Sequence, residues 1–203
     1  MTKKQVTVLV LVALLFSAGA TLFFILRPNK ASNNKSQQST DTINFNSSVQ
    51  GISFDYPLGL KQIPLSSDDL EDNFIFRADN SDPKSAPVLI SVKYEDGLKV
   101  AAAVTKVNKL DLVLQNLRKN YPSRFPEFNE VSSQKIKIGE HIAQEIVFTY
   151  DSNNFASKQK LLVVDKNDDQ VVYIAMQAKV QDFDMLNNQI FLAIIGSLKI
   201  NSQ

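Results

Sequence analysis

Oxygen-bearing side chains at residues 165–169 imitate the opening of a calcium-binding loop. Carboxylates and an amide stand there at alternate positions, the spacing that wraps such a loop around its ion. The rest of the pattern departs from the calcium loop, because Gln170 occupies the position that needs glycine and Met176 the position that needs a bidentate glutamate. We therefore predict a plain hairpin turn at these residues and no metal ligands.

A denser acidic group comprises Asp68, Asp69, Glu71 and Asp72. Four carboxylates this close together offer oxygen ligands for a loosely held cation. Their spacing fixes no coordination geometry, however, and carboxylates are also favoured in the first turn of a helix, where they face the positive end of its dipole. The sequence favours a solvated loop or a helix start here, without a metal or cofactor.

Three pairs of residues share the spacing Ser-x-x-Lys, in which the lysine of a serine hydrolase serves as the base. They are Ser81 with Lys84, Ser132 with Lys135, and Ser157 with Lys160. The last two pairs fall on or beside predicted strands instead of a helix start, and no Lys-Thr-Gly motif accompanies them. We interpret all three as chance matches, and we predict no catalytic residue and no enzymatic activity.

Basic side chains offer two further candidates. The single histidine, His141, follows a predicted turn at Gly139, so we expect an exposed side chain instead of a general base or a ligand. Four lysines alternate along two predicted strands and would form a basic stripe for an anionic envelope polymer or lipid head group if those strands were neighbours. They are Lys135, Lys137, Lys158 and Lys160. Lysines on the solvent face of a sheet are the simpler interpretation.

The composition excludes several classes of protein. The 203 residues contain no cysteine, which excludes disulfides, thiol catalysis, cysteine-ligated metals and a lipid-modified N-terminal cysteine. Six glycines form no phosphate-binding loop. The 22 basic and 21 acidic residues nearly cancel, so the chain lacks the clustered positive charge that nucleic acid requires, and we predict no nucleic-acid partner.

A hydrophobic segment near the N-terminus predicts a membrane anchor. Residues 6–26 form an uncharged run that, as a helix, spans about 30 Å, the thickness of a bilayer's hydrocarbon core. A cleaved signal peptide is the alternative, because two lysines precede the run and Ala18-Gly19-Ala20 has the small residues of a cleavage site. The run continues through residues 22–26, past that site, which favours an uncleaved transmembrane anchor over residues 1–27.

The orientation of this anchor rests on the order of the elements. Basic residues flank the apolar run on both sides, so the positive-inside rule does not decide it. A basic start, an apolar run and a polar spacer are the order typical of an exported domain. We therefore predict a single-pass protein of the cell membrane with a cytoplasmic N-terminus and an extracytoplasmic C-terminal domain. Residues 28–49 are rich in Ser, Asn, Gln and Thr and are predicted to be a disordered linker.

Residues 50–203 are predicted to form one domain of strands and two helices. Alternating apolar residues and turn residues predict strands at residues 52–56, 60–63, 73–76 and 88–94, followed by a helix. Two hairpins come next, one formed by residues 134–138 and 142–150 and the other by residues 160–164 and 171–178. A second helix and a short strand at residues 198–200 close the domain.

The two predicted helices have recognisable ends and apolar faces. The first follows Asn108, a favourable N-cap, and should end at Tyr121 because Pro122 comes next. The second is expected to begin at the cap Asp182 and to end at Gly196. Their apolar stripes predict helices that lie on a sheet. The stripes are Leu110, Val113, Leu114, Leu117 and Tyr121 in the first helix, and Leu186, Ile190, Ala193 and Ile194 in the second.

The order and spacing of these elements resemble the PsbP-like superfamily, which includes the extrinsic photosystem proteins and the bacterial DcrB-like envelope proteins. The resemblance is carried by Ile-Ser-Phe-Asp-Tyr-Pro at residues 52–57, the paired hairpins within residues 135–177, and the closing residues 190–200 with Ser-Leu-Lys. It implies an α+β fold, an α/β/α sandwich whose central sheet is mostly antiparallel, preceded here by one transmembrane helix. It also implies a role mainly in binding and assembly, and no catalytic residues.

Three functions remain open at this stage. The first is a non-enzymatic, membrane-anchored binding or assembly module with a protein partner in the cell envelope. The second is a cell-envelope hydrolase with a Ser-Lys or carboxylate site, and the third is a sensor of a small ligand or ion. The sequence sets no oligomeric state.

Overall fold

The computed structural model describes residues 41–80, 85–152 and 155–201. In chain order its elements are β1 (Thr42–Ser47), β2 (Ile52–Pro57), β3 (Leu60–Gln62), α1 (Ser67–Glu71), β4 (Phe74–Asn80), β5 (Val88–Glu95), α2 (Leu98–Thr105), α3 (Lys109–Arg124), β6 (Asn129–Ile138), β7 (His141–Ser152), β8 (Phe155–Asp165), β9 (Val171–Lys179), α4 (Val180–Leu186), a π-helical turn (Asn187–Phe191), α5 (Leu192–Ser197) and β10 (Lys199–Ile200). The predicted anchor at residues 1–27 lies outside the described residues, as does most of the predicted linker. In the described part, no helix is long and apolar enough to cross a bilayer.

Seven strands form the central sheet, in the order β3-β4-β5-β9-β8-β7-β6, and every pairing in it is antiparallel. Both predicted hairpins, β6 with β7 and β8 with β9, are confirmed and are longer than their apolar patterns suggested. A separate sheet of three strands, in the order β1-β2-β10, brings the C-terminal strand beside β2.

The central sheet is covered on both faces. On one face, α3 packs over an apolar cluster that includes Phe148, Tyr150 and Leu161. On the other face, the small sheet and the segment from α4 to α5 enclose a larger cluster that includes Phe54, Phe76 and Phe191. Helices therefore lie against both faces of an antiparallel sheet, as the predicted sandwich requires.

Strand β1 corrects the predicted linker, which extends too far at its C-terminal end. Ile43 and Phe45 point inward between polar neighbours, and the Phe45 ring lies 5.0 Å from the Phe54 ring and 4.9 Å from the Phe76 ring, measured between centroids. Two inward residues are enough because β2 supplies the pairing partner along the whole strand. The polar composition of residues 42–47 reflects the solvent face of a strand, since alternate residues point away from the core.

Helix α3 begins where it was predicted and ends three residues later. The Asn108 side chain caps it by accepting a hydrogen bond of 2.9 Å from the amide of Leu110. Pro122 lies inside the last turn, where it removes only the bond that its own nitrogen would have donated. The helix continues because its end is held by packing, with Tyr121 and Phe125 both buried.

The C-terminal helical segment also differs from its prediction. It begins at Val180 instead of after Asp182, and no side chain caps it. A π-helical turn then widens the helix by one residue per turn, which places both Ile190 and Phe191 in the core while Ala193 is exposed. The predicted stripe assumed a regular α-helix and therefore included Ala193 wrongly.

A truncation within β1 tests whether this strand belongs to the folded domain. We expect Phe45→Ala to lower the free energy of unfolding by about 2 kcal/mol, since a half-buried ring is lost from an aromatic cluster. The matched control is Asn46→Ala, an exposed position on the same strand, which should change it by less than about 0.5 kcal/mol. Chemical denaturation of both variants measures the difference, and equal effects would contradict the assignment of β1 to the core.

Candidate functional site

The turn between β8 and β9 surrounds the side-chain ammonium of Lys109. The Lys109 ammonium lies 2.6 Å from the Asp165 carboxylate, and it donates hydrogen bonds to the backbone carbonyls of Asn167 and Gln170. The Asn167 side chain turns inward and accepts from the amides of Asp169 and Gln170. The predicted hairpin turn is confirmed, and its oxygens hold an ammonium group from the start of α3.

The same turn also fixes α2, a helix that the sequence patterns did not reveal. The Asp169 carboxylate accepts from the amides of Gly97, at 3.2 Å, and Lys99, at 2.9 Å, so it satisfies amides at the N-terminus of that helix. Gly97 adopts the left-handed conformation, with φ of 74°, that brings these amides together. The acidic residues that imitated a calcium loop therefore join two helices to the central sheet.

The acidic group at residues 68–72 is a helix start, one of the two interpretations that the sequence favoured. Asp69 and Ser66 form a capping box at the beginning of α1, and Asp69 also forms an ion pair of 2.7 Å with Arg77 on β4. Burial opposes the ionisation of Asp69, but the Ser66 amide and hydroxyl together with Arg77 outweigh it and hold the pKa of this carboxyl below its ordinary value. Its charge therefore serves the structure.

The serine and lysine of each described Ser-x-x-Lys pair point to opposite faces of the sheet, because residues three apart on a strand alternate. Lys135 reaches Asp111 on α3, at 3.2 Å, while Ser132 is exposed on the other side. Ser157 is fully buried beneath α3, while Lys160 pairs with Glu145, at 3.2 Å, on the opposite face. Neither lysine reaches its serine. Ser81 and Lys84 lie outside the described residues.

The basic stripe, the alternative that the sequence left open, does not form, for the same geometric reason. Strand β7 separates β6 from β8, so the two lysine-bearing strands are not neighbours. Lys135 lies on the α3 face, whereas Lys158 and Lys160 lie on the other face, over the rings of Phe183 and Phe191. Cation-aromatic contacts and ion pairs with Asp184 and Glu145 account for Lys158 and Lys160.

His141 is half-buried, which corrects the prediction of an exposed side chain. Its Nδ1 lies 2.8 Å from the carbonyl oxygen of Asp165, and its Nε2 lies 3.1 Å from the carbonyl oxygen of Ile200. The imidazole therefore bridges the end of β8 and the C-terminal strand. The prediction missed this because β10 returns to the β6-β7 turn from 59 residues away.

Buried charge gathers at one other place, on the α3 face of β5. Lys93 is only 5% exposed, and its ammonium lies 5.2 Å from the centroid of the Tyr173 ring and 5.8 Å from that of Phe74. Tyr173 in turn donates a hydrogen bond to the Glu95 carboxylate. Burial lowers the pKa of Lys93 to about 8, an effect that Glu95 and Asp72 oppose.

The last turn of α3 lies above this region. Tyr121 is buried against Phe125 and Phe148, with ring centroids 5.0 and 5.2 Å away, and burial raises its pKa. Burial lowers the pKa of the Arg124 guanidinium, which lies close enough to Lys93 to lower the pKa of that lysine as well. The Lys93 ammonium and the Arg124 guanidinium therefore interact electrostatically near the last turn of α3.

Polar residues continue across the sheet below α3. Gln177 on β9 lies directly opposite Gln159 on β8, and Ser157 lies directly opposite Tyr150 on β7. All four side chains are buried and face α3. We call Lys93, Tyr121, Arg124, Tyr150, Ser157 and Gln177 together the α3 polar cluster. Five of these six side chains are buried, and Arg124 is half-buried.

Sequence reasoning did not find the α3 polar cluster, although a signal was present. Gln159, Gln177 and Lys93 interrupt strands whose other residues are mostly apolar, and each occupies a position that the alternation assigns to a covered face. A polar residue at a position where the pattern predicts an apolar one is the signal that could have indicated the cluster. The partners across the sheet required the register, which the sequence did not supply.

An antiparallel sheet with helices against both faces and a second, three-stranded sheet defines an α+β domain of the sandwich type. A model of the PsbP-like protein family matches residues 7–200. The chain belongs to this family, which confirms the resemblance seen in the sequence. No curated protein matches the chain.

Two solved structures show the same fold at low sequence identity. One is LpqN of Mycobacterium tuberculosis, described as involved in cell envelope biogenesis, with a TM-score of 0.53, 14% identity, and coverage of 79% of this chain and 91% of LpqN. The other is the cyanobacterial PsbP protein CyanoP of Synechocystis, with a TM-score of 0.51, 8% identity, and coverage of 83% and 98%. At these identities the likeness establishes the fold alone.

The depressed pKa of Lys93 predicts a pH dependence of stability. Between about pH 8, the value for the folded state, and 10.5, the ordinary value, the unfolded chain binds more protons than the folded one. Stability should therefore rise with pH in that window, by about 1–2 kcal/mol between pH 8 and 9.5. Denaturant unfolding at several pH values measures this rise.

The matched variants assign this slope to one side chain. Lys93→Met keeps the volume and removes the titrating group, so the rise should flatten, whereas Lys137→Met removes an exposed lysine and should preserve it. A rise that persists unchanged in Lys93→Met would contradict the assignment.

Proposed function

We propose that this chain is a membrane-anchored extracytoplasmic module that binds and assembles with a protein partner of the cell envelope. The uncharged run at residues 6–26, followed by a short polar segment, supports the anchor. Membership of the PsbP-like family supports an extracytoplasmic domain, and one structural neighbour is described as involved in cell envelope biogenesis.

An apolar stripe on α2 is the observation that carries the binding role. Val100 and Val104 are 65% and 62% exposed, and Ala103 beside them is also exposed. Val100, Ala103 and Val104 stand at positions i, i+3 and i+4, the spacing of a single helix face. An apolar face of this kind normally packs against another element, yet here it points to solvent.

Helix α2 is held rigidly even though its outer face is exposed. Leu98 is buried in the α3-side core, and the Asp169 carboxylate caps the N-terminal amides. A preformed helix loses little conformational entropy on binding, so a modest apolar area can give useful affinity. Valine and alanine at this spacing fit a partner that supplies an apolar groove or a second amphipathic helix. The envelope partner is therefore proposed to be a protein that offers such a surface.

The Ser-Lys version of the hydrolase alternative receives no support from the described residues. Each described serine of the Ser-x-x-Lys spacing lies on the face opposite to its lysine, and general base catalysis needs the two groups within hydrogen-bonding distance. A small-ligand role is favoured by a separate observation, the α3 polar cluster.

The absence of cysteine allows a direct test of topology. We expect Val49→Cys, at a position that is 88% exposed, to react with a membrane-impermeant maleimide in intact cells. Thr2→Cys, at the opposite end of the predicted anchor, should react only after lysis. Mass shift of the protein on a gel measures both. Labelling of Val49→Cys only after lysis would place the domain in the cytoplasm and overturn the proposal.

A charge introduced into the α2 stripe should abolish partner binding while the fold is kept. We expect a photo-crosslinking amino acid at Ala103 of the full chain to give a discrete adduct in cells. The double variant Val100→Asp and Val104→Asp should lose that adduct because two carboxylates cannot be buried in an apolar contact. Its stability should change by less than about 1 kcal/mol, since both positions are exposed.

The control for this experiment is Leu192→Asp, which alters a 50% exposed apolar residue on α5 and should preserve the adduct. An adduct that persists in the double variant would contradict the α2 stripe as the binding face. An adduct formed by two copies of this chain would identify a homodimer contact and contradict a separate protein partner.

A further inference from the structure

Buried polar atoms without hydrogen-bond partners are concentrated on one side of this domain. Among the described residues six buried side-chain atoms lack a partner, and five of them belong to the α3 polar cluster. The five are the Tyr121 and Tyr150 hydroxyls, the Ser157 hydroxyl, Arg124 Nη1 and Gln177 Nε2. The sixth, Asn187 Oδ1, lies in the π-helical turn. The Tyr150 and Ser157 hydroxyls interact with each other, which partly offsets the effect of burial on the pKa of Tyr150. The Tyr121 hydroxyl, Arg124 Nη1 and Gln177 Nε2 have no such neighbour, and native domains satisfy nearly all buried groups of this kind.

The sheet residues that carry these atoms lie on adjacent strands. Tyr150 and Ser157 are direct cross-strand neighbours, and Ser157 lies two residues from Gln159, which is the direct neighbour of Gln177. Directly opposed residues in an antiparallel pair have Cα atoms about 4.5–5.5 Å apart. Phe125 stacks on Tyr150 with ring centroids 4.5 Å apart, and the same helix turn carries Tyr121 and Arg124.

The chemistry of the five atoms is that of hydrogen-bond donors. Arg124 Nη1 and Gln177 Nε2 can only donate, and the three hydroxyls can each donate one hydrogen. Hydroxyls can also accept, so the two groups that only donate, Arg124 Nη1 and Gln177 Nε2, are the ones that call for acceptor oxygens on a ligand.

Arg124 favours a negative charge on that ligand. Lys93 is balanced by Glu95 and by Asp72, both of which interact with it electrostatically. Arg124, by contrast, forms no ion pair with an acidic residue in the described ranges. A guanidinium with a buried, unpaired nitrogen is the side chain best shaped for a carboxylate, which it can hold through two parallel hydrogen bonds.

We propose that the α3 polar cluster binds a small monocarboxylate, whose oxygens accept from Arg124 and from the Tyr121 hydroxyl above the sheet. The hydroxyls of Tyr150 and Ser157 and the amide of Gln177 supply the remaining donors from the sheet. The aromatic rings of Phe125, Phe148 and Tyr150 give the ligand's body an apolar wall. Arg124 itself is half-buried, so the site has access to solvent at the end of α3.

The binding test uses the full chain in nanodiscs and three sodium salts at equal ionic strength: acetate, phosphate and chloride. We expect acetate to raise the thermal unfolding temperature in a saturable manner, as a ligand specific for the folded state does. Chloride should give no saturable rise, and phosphate should bind at least tenfold more weakly than acetate. Calorimetric titration of acetate gives the dissociation constant.

Two variants and one control assign the site. Arg124→Gln should weaken acetate binding at least tenfold. Tyr121→Phe should weaken it several-fold while the ligand-free protein keeps or gains stability, because this substitution removes a hydroxyl that lacks a partner. Arg118→Gln, which alters an exposed arginine on the same helix that pairs with Glu130, should bind acetate as the wild type does.

Each other outcome overturns the proposal. A saturable response that is unchanged in both Arg124→Gln and Tyr121→Phe would place acetate elsewhere on the protein. Tighter binding of phosphate than of acetate would contradict the monocarboxylate. No saturable response to any salt would mean that water alone satisfies these atoms.

Discussion

The fold depends on a constraint set by β9, the strand whose residues from Val171 to Ala178 are all buried. A strand buried on both sides cannot face water, so the central sheet needs a cover on each face. Helix α3 supplies one cover, and the C-terminal helices with the small sheet supply the other. The third strand of the small sheet, β10, pairs with β2, which places Leu198 and Ile200 against the core.

The turn that follows β8 fixes the positions of helices α2 and α3 relative to the central sheet. One ammonium, that of Lys109, is surrounded by oxygens of the turn and thereby joins the start of α3 to the end of the β8-β9 hairpin. A few residues away the Asp169 carboxylate holds α2. The exposed stripe of α2 and the polar cluster beneath α3 are therefore both positioned by the same short segment, although they face different surroundings.

The sequence predicted those parts of the fold whose signals are local. Long alternating strands revealed both hairpins, and Asn108 marked the start of α3, because each of these features is set by neighbouring residues. Strand β1 and the bridging role of His141 depend on partners distant in the chain, so polar composition near Phe45 and a turn near Gly139 were misleading. Whether the four lysines form a stripe could not be settled from the sequence, because the order of strands in the sheet decides which strands are neighbours.

The α3 polar cluster also depends on residues that are distant in the chain. Each of its members is an ordinary polar residue, and the cluster is recognisable only once the fold brings them to one face of the sheet. Gln177 and Ser157 lie on different strands, and Arg124 comes from a helix more than 30 residues earlier in the chain. A domain that needed only a stable core would fill these positions with apolar residues, because a buried donor without a partner destabilises the folded state. A bound acceptor would satisfy these donors, and for this reason the proposed ligand site lies on the α3 face of the sheet.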